Sequence, residues 1–217
     1  MAIYFAGYLS PIRNKLGNAV GRKWRTLDVL AVYNGRPRNP RTTAQQSQRA
    51  KFGYIAKVAR AFSTAAELGF KPMCDGTPVP QRSMFIKKNI DNVDVTDITA
   101  PTIDLTEIVC AEGGLPNASF GNASFADPLS VSVPLTDTSD TPGADRRDNV
   151  YIFVYNKDQN SGILSAGVAR GNAEITVTVP ATWNGERVHV YGFVVGNGPE
   201  TMGSVSNSVF IGQGNIS

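Results

Sequence analysis

Val150-Tyr-Ile-Phe-Val-Tyr155 and Val188-His-Val-Tyr-Gly-Phe-Val-Val195 decide how this 217-residue chain is read. Both runs are short, rich in β-branched and aromatic residues, and apolar at almost every position. A strand with one face in water alternates between apolar and polar residues, so unbroken runs of this kind predict central strands covered on both faces. Working outward, period-2 segments recur at 103–111, 117–125, 129–135, 149–156, 162–169, 173–179, 187–195 and 204–211. Turn-forming clusters such as Thr138-Ser-Asp-Thr-Pro-Gly143, Asn156-Lys-Asp-Gln-Asn160 and Gly196-Asn-Gly-Pro199 separate them. This spacing is the signature of a β-sandwich. Pro128, Pro134 and Pro180 are expected at strand ends or edges, because proline cannot donate to a ladder.

Ahead of these strands the pattern is different. Residues 43–68 carry Gln48, Phe52, Ile55, Ala59, Phe62 and Ala66 at three- and four-residue steps, which predicts one long helix with that stripe turned inward. Thr43 and Gln46 have the spacing of a capping box at its start. A shorter helix is expected over about 81–90, after the Pro78-Val-Pro80 breaker. Residues 1–41 hold scattered glycines, prolines and cations with no lasting period and read as an extended arm, within which Asp28-Val-Leu-Ala-Val-Tyr33 has strand composition. The expected fold class is therefore mainly β with an N-terminal α segment. It comprises an extended basic arm (1–41), a helical region of one long and one short helix (42–90) and an immunoglobulin-like β-sandwich (91–217) reached by a short linker. Such an arm cannot bury enough apolar area to offset its own ordering entropy, so it should order against a partner.

The net charge of +3 conceals its parts. Residues 1–88 hold 16 Lys/Arg against 3 Asp/Glu, a net of +13, and residues 89–217 hold 5 against 15, a net of −10. Arg22, Lys23, Arg25, Arg36, Arg38, Arg41, Arg49 and Lys51, interleaved with Trp24 and Tyr33, form the candidate partner-binding set. They could neutralise phosphates and stack on bases, as in a nucleic-acid-binding accessory protein. They could equally lie against acidic protein surface, and the acidic half of the same chain favours that second reading, because it repels a polyanion and offers complementary charge to another copy.

Chemistry-bearing motifs are sparse. Only three residues separate Gly17 from Gly21, where a phosphate loop needs four, and Trp24 stands where it needs a hydroxyl, so nucleotide binding is not expected. His189, the one histidine, falls inside a predicted strand and reads as structural. The runs Asp91/Asp94/Asp97 and Asp137/Asp140/Asp145/Asp148 fall in linker or loop and read as turn formers; a calcium ion on the second run is the alternative, without the EF-hand spacing. Asn117-Ala-Ser119 and Asn122-Ala-Ser124 are sequons read as strand and turn residues. Cys74 and Cys110 are too few for a disulfide framework, and no Cys/His zinc pattern exists. No catalytic residue, cofactor or metal is expected, and neither is a membrane span or a secretion signal.

Lys15-Leu-Gly-Asn-Ala-Val-Gly21, Trp24-Arg25, Pro40-Arg-Thr-Thr-Ala-Gln45 and Gln48-Arg-Ala-Lys-Phe52 occur in order, followed by Asp148-Asn-Val-Tyr-Ile-Phe-Val-Tyr155, Ala169-Arg170, Val179-Pro180, Trp183-Asn-Gly185 and Val205-Ser-Asn-Ser-Val209. This order resembles a family of uncharacterised proteins encoded by bacteria and their phages, with residues 70–145 matching least. The resemblance implies no enzymatic role and carries over no catalytic residue. A basic arm joined to an immunoglobulin-like sandwich is also similar to phage capsid, ring and tail components. The expectation is a non-enzymatic structural subunit of a virion, homo-oligomeric and assembled in the bacterial cytoplasm, whose arm docks on acidic neighbouring subunits.

Overall fold

The computed structural model describes residues 2–3, 13–25, 27–35, 41–125 and 129–216, so Arg36, Arg38 and Pro128 lie outside the described residues. The basic arm is extended, as expected, but its strands pair with one another. Strands β1 (Ala2–Ile3), β2 (Asn14–Leu16), β3 (Ala19–Trp24) and β4 (Leu27–Val32) form an antiparallel sheet in the order β1-β4-β3-β2. The expected strand at 28–33 is β4, and its partner β3 was hidden because Arg22 and Lys23 are adjacent and break any alternation. Gly17 takes φ +57° in the turn between β2 and β3, a conformation glycine adopts without a Cβ clash. Arg25 takes φ +56° in the turn between β3 and β4, a position that usually falls to Gly, Asn or Asp.

Helix α1 (Thr43–Ala61) starts one residue earlier than the capping-box reading, with Thr42 as N-cap accepting from the Gln45 amide at 3.4 Å. The expected single helix is interrupted at Phe62 and continues as α2 (Ser63–Gly69). Bonds from the Phe62 amide to the Val58 carbonyl (3.1 Å) and from the Ala66 amide to the Phe62 carbonyl (2.9 Å) keep the two nearly continuous. The predicted stripe divides: Ile55, Ala59, Phe62 and Ala66 are buried, whereas Gln48 and Phe52 are exposed. A helical period identifies a face, but it does not say what covers each turn. The short α3 (Lys71–Cys74) and α4 (Gln81–Asn89) follow, then a two-stranded ribbon of β5 (Val93–Asp94) and β6 (Thr102–Ile103).

The predicted strand at 103–111 is irregular beyond Ile103 because side chains take its backbone groups. Asn89 bonds the Val109 carbonyl and amide, both at 2.8 Å, and the Tyr191 hydroxyl donates to the Leu105 carbonyl at 2.6 Å. In the predicted 117–125 strand, only β7 (Ser119–Phe120) is regular. The remaining strands are β8 (Ser130–Thr136), β9 (Asn149–Asn156), β10 (Ser161–Leu164), β11 (Val168–Ala169), β12 (Glu174–Thr178), β13 (Arg187–Val195) and β14 (Val209–Asn215). Pro134 lies inside β8 rather than at an end. Its carbonyl accepts from the Gly121 amide at 2.8 Å, and the missing N–H falls on that same side, just past the end of β7.

Two sheets, β12-β8-β7 and β10-β9-β13-β14 with β11 also on β9, face each other as an immunoglobulin-like sandwich. Val131, Val133, Ile175 and Val177 on one sheet meet Ile152, Val154, Val188 and Val190 on the other, with Trp183 closing the layer. The alternate residues of β9 and β13, Phe153, Tyr155, Tyr191 and Phe193, point the opposite way into a second apolar cluster shared with α1, α2 and α4. The central strands are thus covered on both faces, as their sequence predicted.

Phe62 lies at the junction of helices and sheet. Its ring stands 5.1 Å from Phe85, 4.6 Å from Phe153, 4.8 Å from Tyr155 and 5.5 Å from Tyr191. Gly162 lets the helix approach β10, since a Cβ there would lie 2.1 Å from the Phe153 ring and 3.0 Å from the Ala61 carbonyl. Phe62→Ala is expected to cost about 3–5 kcal/mol, measured as the shift in a urea unfolding midpoint. A loss under about 1 kcal/mol would mean that the helices do not depend on this contact.

Candidate functional site

Two places could carry function: the loop end of the sandwich, where buried charge collects, and the N-terminal segment, where apolar and cationic side chains meet solvent.

At the loop end, Asp148 and Arg170 are both fully buried and form an ion pair at 3.4 Å. Asp148 Oδ1 accepts from the Thr201 hydroxyl at 2.5 Å and the Asn197 amide at 3.2 Å, and Oδ2 accepts from the Asp145 amide at 2.9 Å. Arg170 donates to the Asn117 and Pro116 carbonyls and to the Thr138 hydroxyl. Four separate stretches, around 117, 138–148, 170 and 197–201, are therefore tied to one pair of charges. Burial pushes the Asp148 pKa up, but the Thr201 hydroxyl and the backbone donors outweigh it and hold the carboxyl below its ordinary range. The run read as a candidate calcium loop spends these oxygens on the protein, and no group of three or more His, Cys, Asp or Glu among the described residues could hold a metal ion. This cluster fixes loops.

Other titratable groups are shifted by burial, and His189 keeps Nδ1 buried without a hydrogen-bond partner among the described residues. His189 is buried on β13 beside Phe210, with burial as the main cause that lowers its pKa and the neighbouring Arg187 charge adding to it. Cys110 is buried, and burial pushes its thiol up to about 12, far from thiolate chemistry at neutral pH. In the first sequon Asn117 donates to the Asn207 carbonyl at 2.8 Å and accepts from the Ser206 hydroxyl at 3.0 Å. Its amide is a structural bridge between the two ends of the sandwich segment.

The N-terminal segment has the opposite character. Both apolar clusters begin their buried membership at Ile55 or later, and among the described residues before it Val29 is the one large apolar side chain that is fully covered. Exposed large apolar residues concentrate here: Leu16 (64% exposed), Trp24 (49%), Val32 (84%), Tyr33 (44%) and Phe52 (55%), with Met202 and Val209 the others among the described residues.

The structure places the predicted partner-binding residues in three groups. Arg22, Lys23, Trp24 and Arg25 are exposed at one end of the β3–β4 hairpin, with Lys23 opposite Asp28. Tyr33 is at the other end, where Lys15 Nζ lies 3.9 Å from its ring centroid, so one face of the ring is already engaged. Arg41 and Arg49 are exposed at the start of α1, and half-buried Lys51 faces Asp94 of the same chain closely enough to help lower its pKa. Sequence reasoning missed Phe52, because an apolar residue in a periodic segment reads as core, and Leu16 and Val32, because strand-like composition does not say which face a partner covers. Lys57, Arg60 and Arg82, legible as helix cations but outside the predicted partner-binding set, line a hollow of about 250 Å³ between α1, α4 and the β9–β10 turn.

Comparison with known proteins adds a family. The one described as "Family of unknown function (DUF6266)" matches residues 11–212, including the middle stretch that matched least by motif. A search of curated proteins finds no match. Among solved structures the fn3 domain of the human collagen alpha-1(XX) chain is similar over 48% of this chain and 87% of that one, at 12% identity and a TM-score of 0.36.

The buried pair predicts how stability depends on acid. A carboxyl with a depressed folded pKa contributes stability that is fully present above its unfolded value of about 4 and is lost as pH falls through the lower folded value. Melting temperature should therefore fall on acidification below about pH 4 and less so in Asp148→Asn, which has no carboxyl to protonate. At neutral pH Asp148→Ala should cost about 3–5 kcal/mol by leaving Arg170 buried without its partner. An unchanged melting temperature at neutral pH would show that the loops hold without it.

Proposed function

We propose that this chain, which belongs to the family of unknown function DUF6266, is a non-enzymatic structural subunit of a larger protein assembly that docks through its N-terminal segment. One observation carries the reading. Residues up to Phe52 supply five of the seven exposed large apolar side chains among the described residues, and none of them belongs to either apolar core. Exposed aromatic and aliphatic groups held on a regular sheet are the usual anchors of an interface, where Trp and Arg carry a disproportionate share of binding energy. Trp24, Leu16, Val32 and Phe52 would fill apolar depressions on a neighbour, with Arg22, Lys23, Arg25, Arg41 and Arg49 setting register against its acidic surface.

The partner of best fit is another copy of this chain or an acidic neighbouring subunit, since residues 89–217 carry a net charge of −10. In its specific form the assembly is a phage virion, at the capsid, the head-to-tail ring or the tail, put together in the bacterial cytoplasm. The similarity of a basic arm plus immunoglobulin-like sandwich to such components supports that form by analogy of architecture.

Light scattering and sedimentation velocity test the reading. The full chain should form oligomers, whereas deletion of residues 1–41, or Trp24→Asp combined with Phe52→Asp, should shift it to monomer. Because those residues contribute to neither core, the melting temperature of the point variants should stay within about 2 °C of the parent. A full chain that stays monomeric at all concentrations, yet shifts oligonucleotides with a steep salt dependence, would replace this reading with nucleic-acid binding.

A further inference from the structure

One face of α1 presents Gly53, Ala56, Lys57 and Arg60, a run at three- and four-residue steps in which small residues leave a depression beside two cations. A Cβ built on Gly53 would meet nothing within 4 Å, so the floor of the hollow is open. Across it stands Arg82 of α4, whose guanidinium is held in place by donating to the Ala56 carbonyl at 2.8 Å. Asn160 closes the third side and donates to the Lys57 carbonyl at 3.1 Å. A second hollow of about 360 Å³ adjoins the first, sharing Lys57 and Asn160 and adding Lys157, Pro101 and Thr102.

No acid lines either hollow. Neither Lys57 nor Arg60 forms an ion pair with another described residue. Like charges three residues apart on a helix repel, and a fixed guanidinium nearby adds to the excess. The hollow is a local concentration of positive charge that an anion complements.

The complementary groups occur on the same molecule. Asp94, Asp97 and Asp104 are exposed, and each carboxylate accepts from the amide and hydroxyl of the threonine two residues later, at 2.7–2.9 Å. They are preorganised anions on a segment whose Pro101 and Thr102 border the second hollow. The segment that carries these acids borders the cationic hollows through Pro101 and Thr102, an arrangement that two copies related by a two-fold axis can satisfy reciprocally.

We infer that the Lys57/Arg60/Arg82 hollow seats carboxylates from the 94–104 segment of a second copy of this chain. The inference rests on the subunit reading and deepens it by naming the partner and a contact separate from the N-terminal anchors.

Three variants of the full chain test it by sedimentation equilibrium. Lys57→Glu with Arg60→Glu reverses the hollow's charge. Asp94→Asn with Asp97→Asn and Asp104→Asn removes the anions while keeping an acceptor oxygen for each threonine. Gly53→Leu fills the hollow without changing charge, and glycine is a poor helix former, so this helix should not weaken. Each should lower the self-association constant roughly tenfold or more, and mixing the first two should recover part of the loss, since a mixed pair keeps one of two reciprocal contacts. If all three assemble like the parent while the N-terminal variants do not, the hollow is overturned and the subunit reading stands. A chain monomeric throughout overturns both. Loss of inorganic phosphate binding in the Lys57/Arg60 variant, with the Asp-to-Asn variant silent in assembly, overturns the inference in favour of a phosphate ligand.

Discussion

The packing of Phe62 against Phe85, Phe153, Tyr155 and Tyr191 joins what would otherwise be two half-finished layers. A sheet whose outer face carries Phe153, Tyr155, Tyr191 and Phe193 cannot leave that face in water. Each such side chain forfeits about 1.5–3 kcal/mol of burial if exposed. The helices have the complementary need, for α2 and α4, of seven and nine residues, are too short to be stable alone, and α1 too draws most of its stability from packing its apolar face. Phe62 sits where α1 gives way to α2, so its ring points into the sheet while its neighbours continue along the helix. The rest follows: α4 stacks on the same ring through Phe85, Asn89 of α4 holds the irregular 105–111 segment, and Tyr191 anchors Leu105 from below.

This economy of surfaces explains why function is sought at the edges. With one face of the β10-β9-β13-β14 sheet against the other sheet and the other under the helices, the central strands have no surface to offer a partner. The loop end is held by the buried Asp148–Arg170 pair, whose hydrogen bonds are spent on the protein's own backbone. The groups left open to a partner are concentrated before residue 61: exposed aromatic and aliphatic side chains on the hairpin and at Phe52, and Lys57 and Arg60 beside the hollow on α1. The division of charge into +13 and −10 follows this boundary only in part, since residues 1–88 include both the exposed arm and the buried faces of α1, α2 and α4.

Much of the fold was legible because burial on both faces leaves a mark that a single sequence can carry. The runs at 150–155 and 188–195 had no alternation, and they became β9 and β13 at the centre of three layers. Where the expectations failed, a side chain from elsewhere in the chain had intervened. Segment 103–111 has strand composition, but Asn89 and Tyr191 take its hydrogen-bonding groups. In the 162–169 segment, Ser165 bonds the Ile152 amide through its hydroxyl and splits the strand into β10 and β11. The candidate site was legible in part for a related reason. Cations are visible in any sequence, whereas the exposure of Phe52 and the hollow beside Gly53 depend on which turns of α1 find a neighbour.

By itself, then, the sequence determined the class of each segment: a basic arm, an amphipathic helical stretch and a sandwich with two fully apolar central strands. Those are local properties, written in periodicity, turn residues and charge, and they hold whatever the segments pack against. Only the tertiary structure decided that the arm pairs with itself, that α1 is buried from Ile55 onward but exposed before it, and that Asp148 is a clamp rather than a solvated turn residue. The physical reason is that burial and compensation are pairwise. Whether an apolar or charged side chain is satisfied depends on residues up to a hundred positions away, and no local pattern records whether that partner arrives.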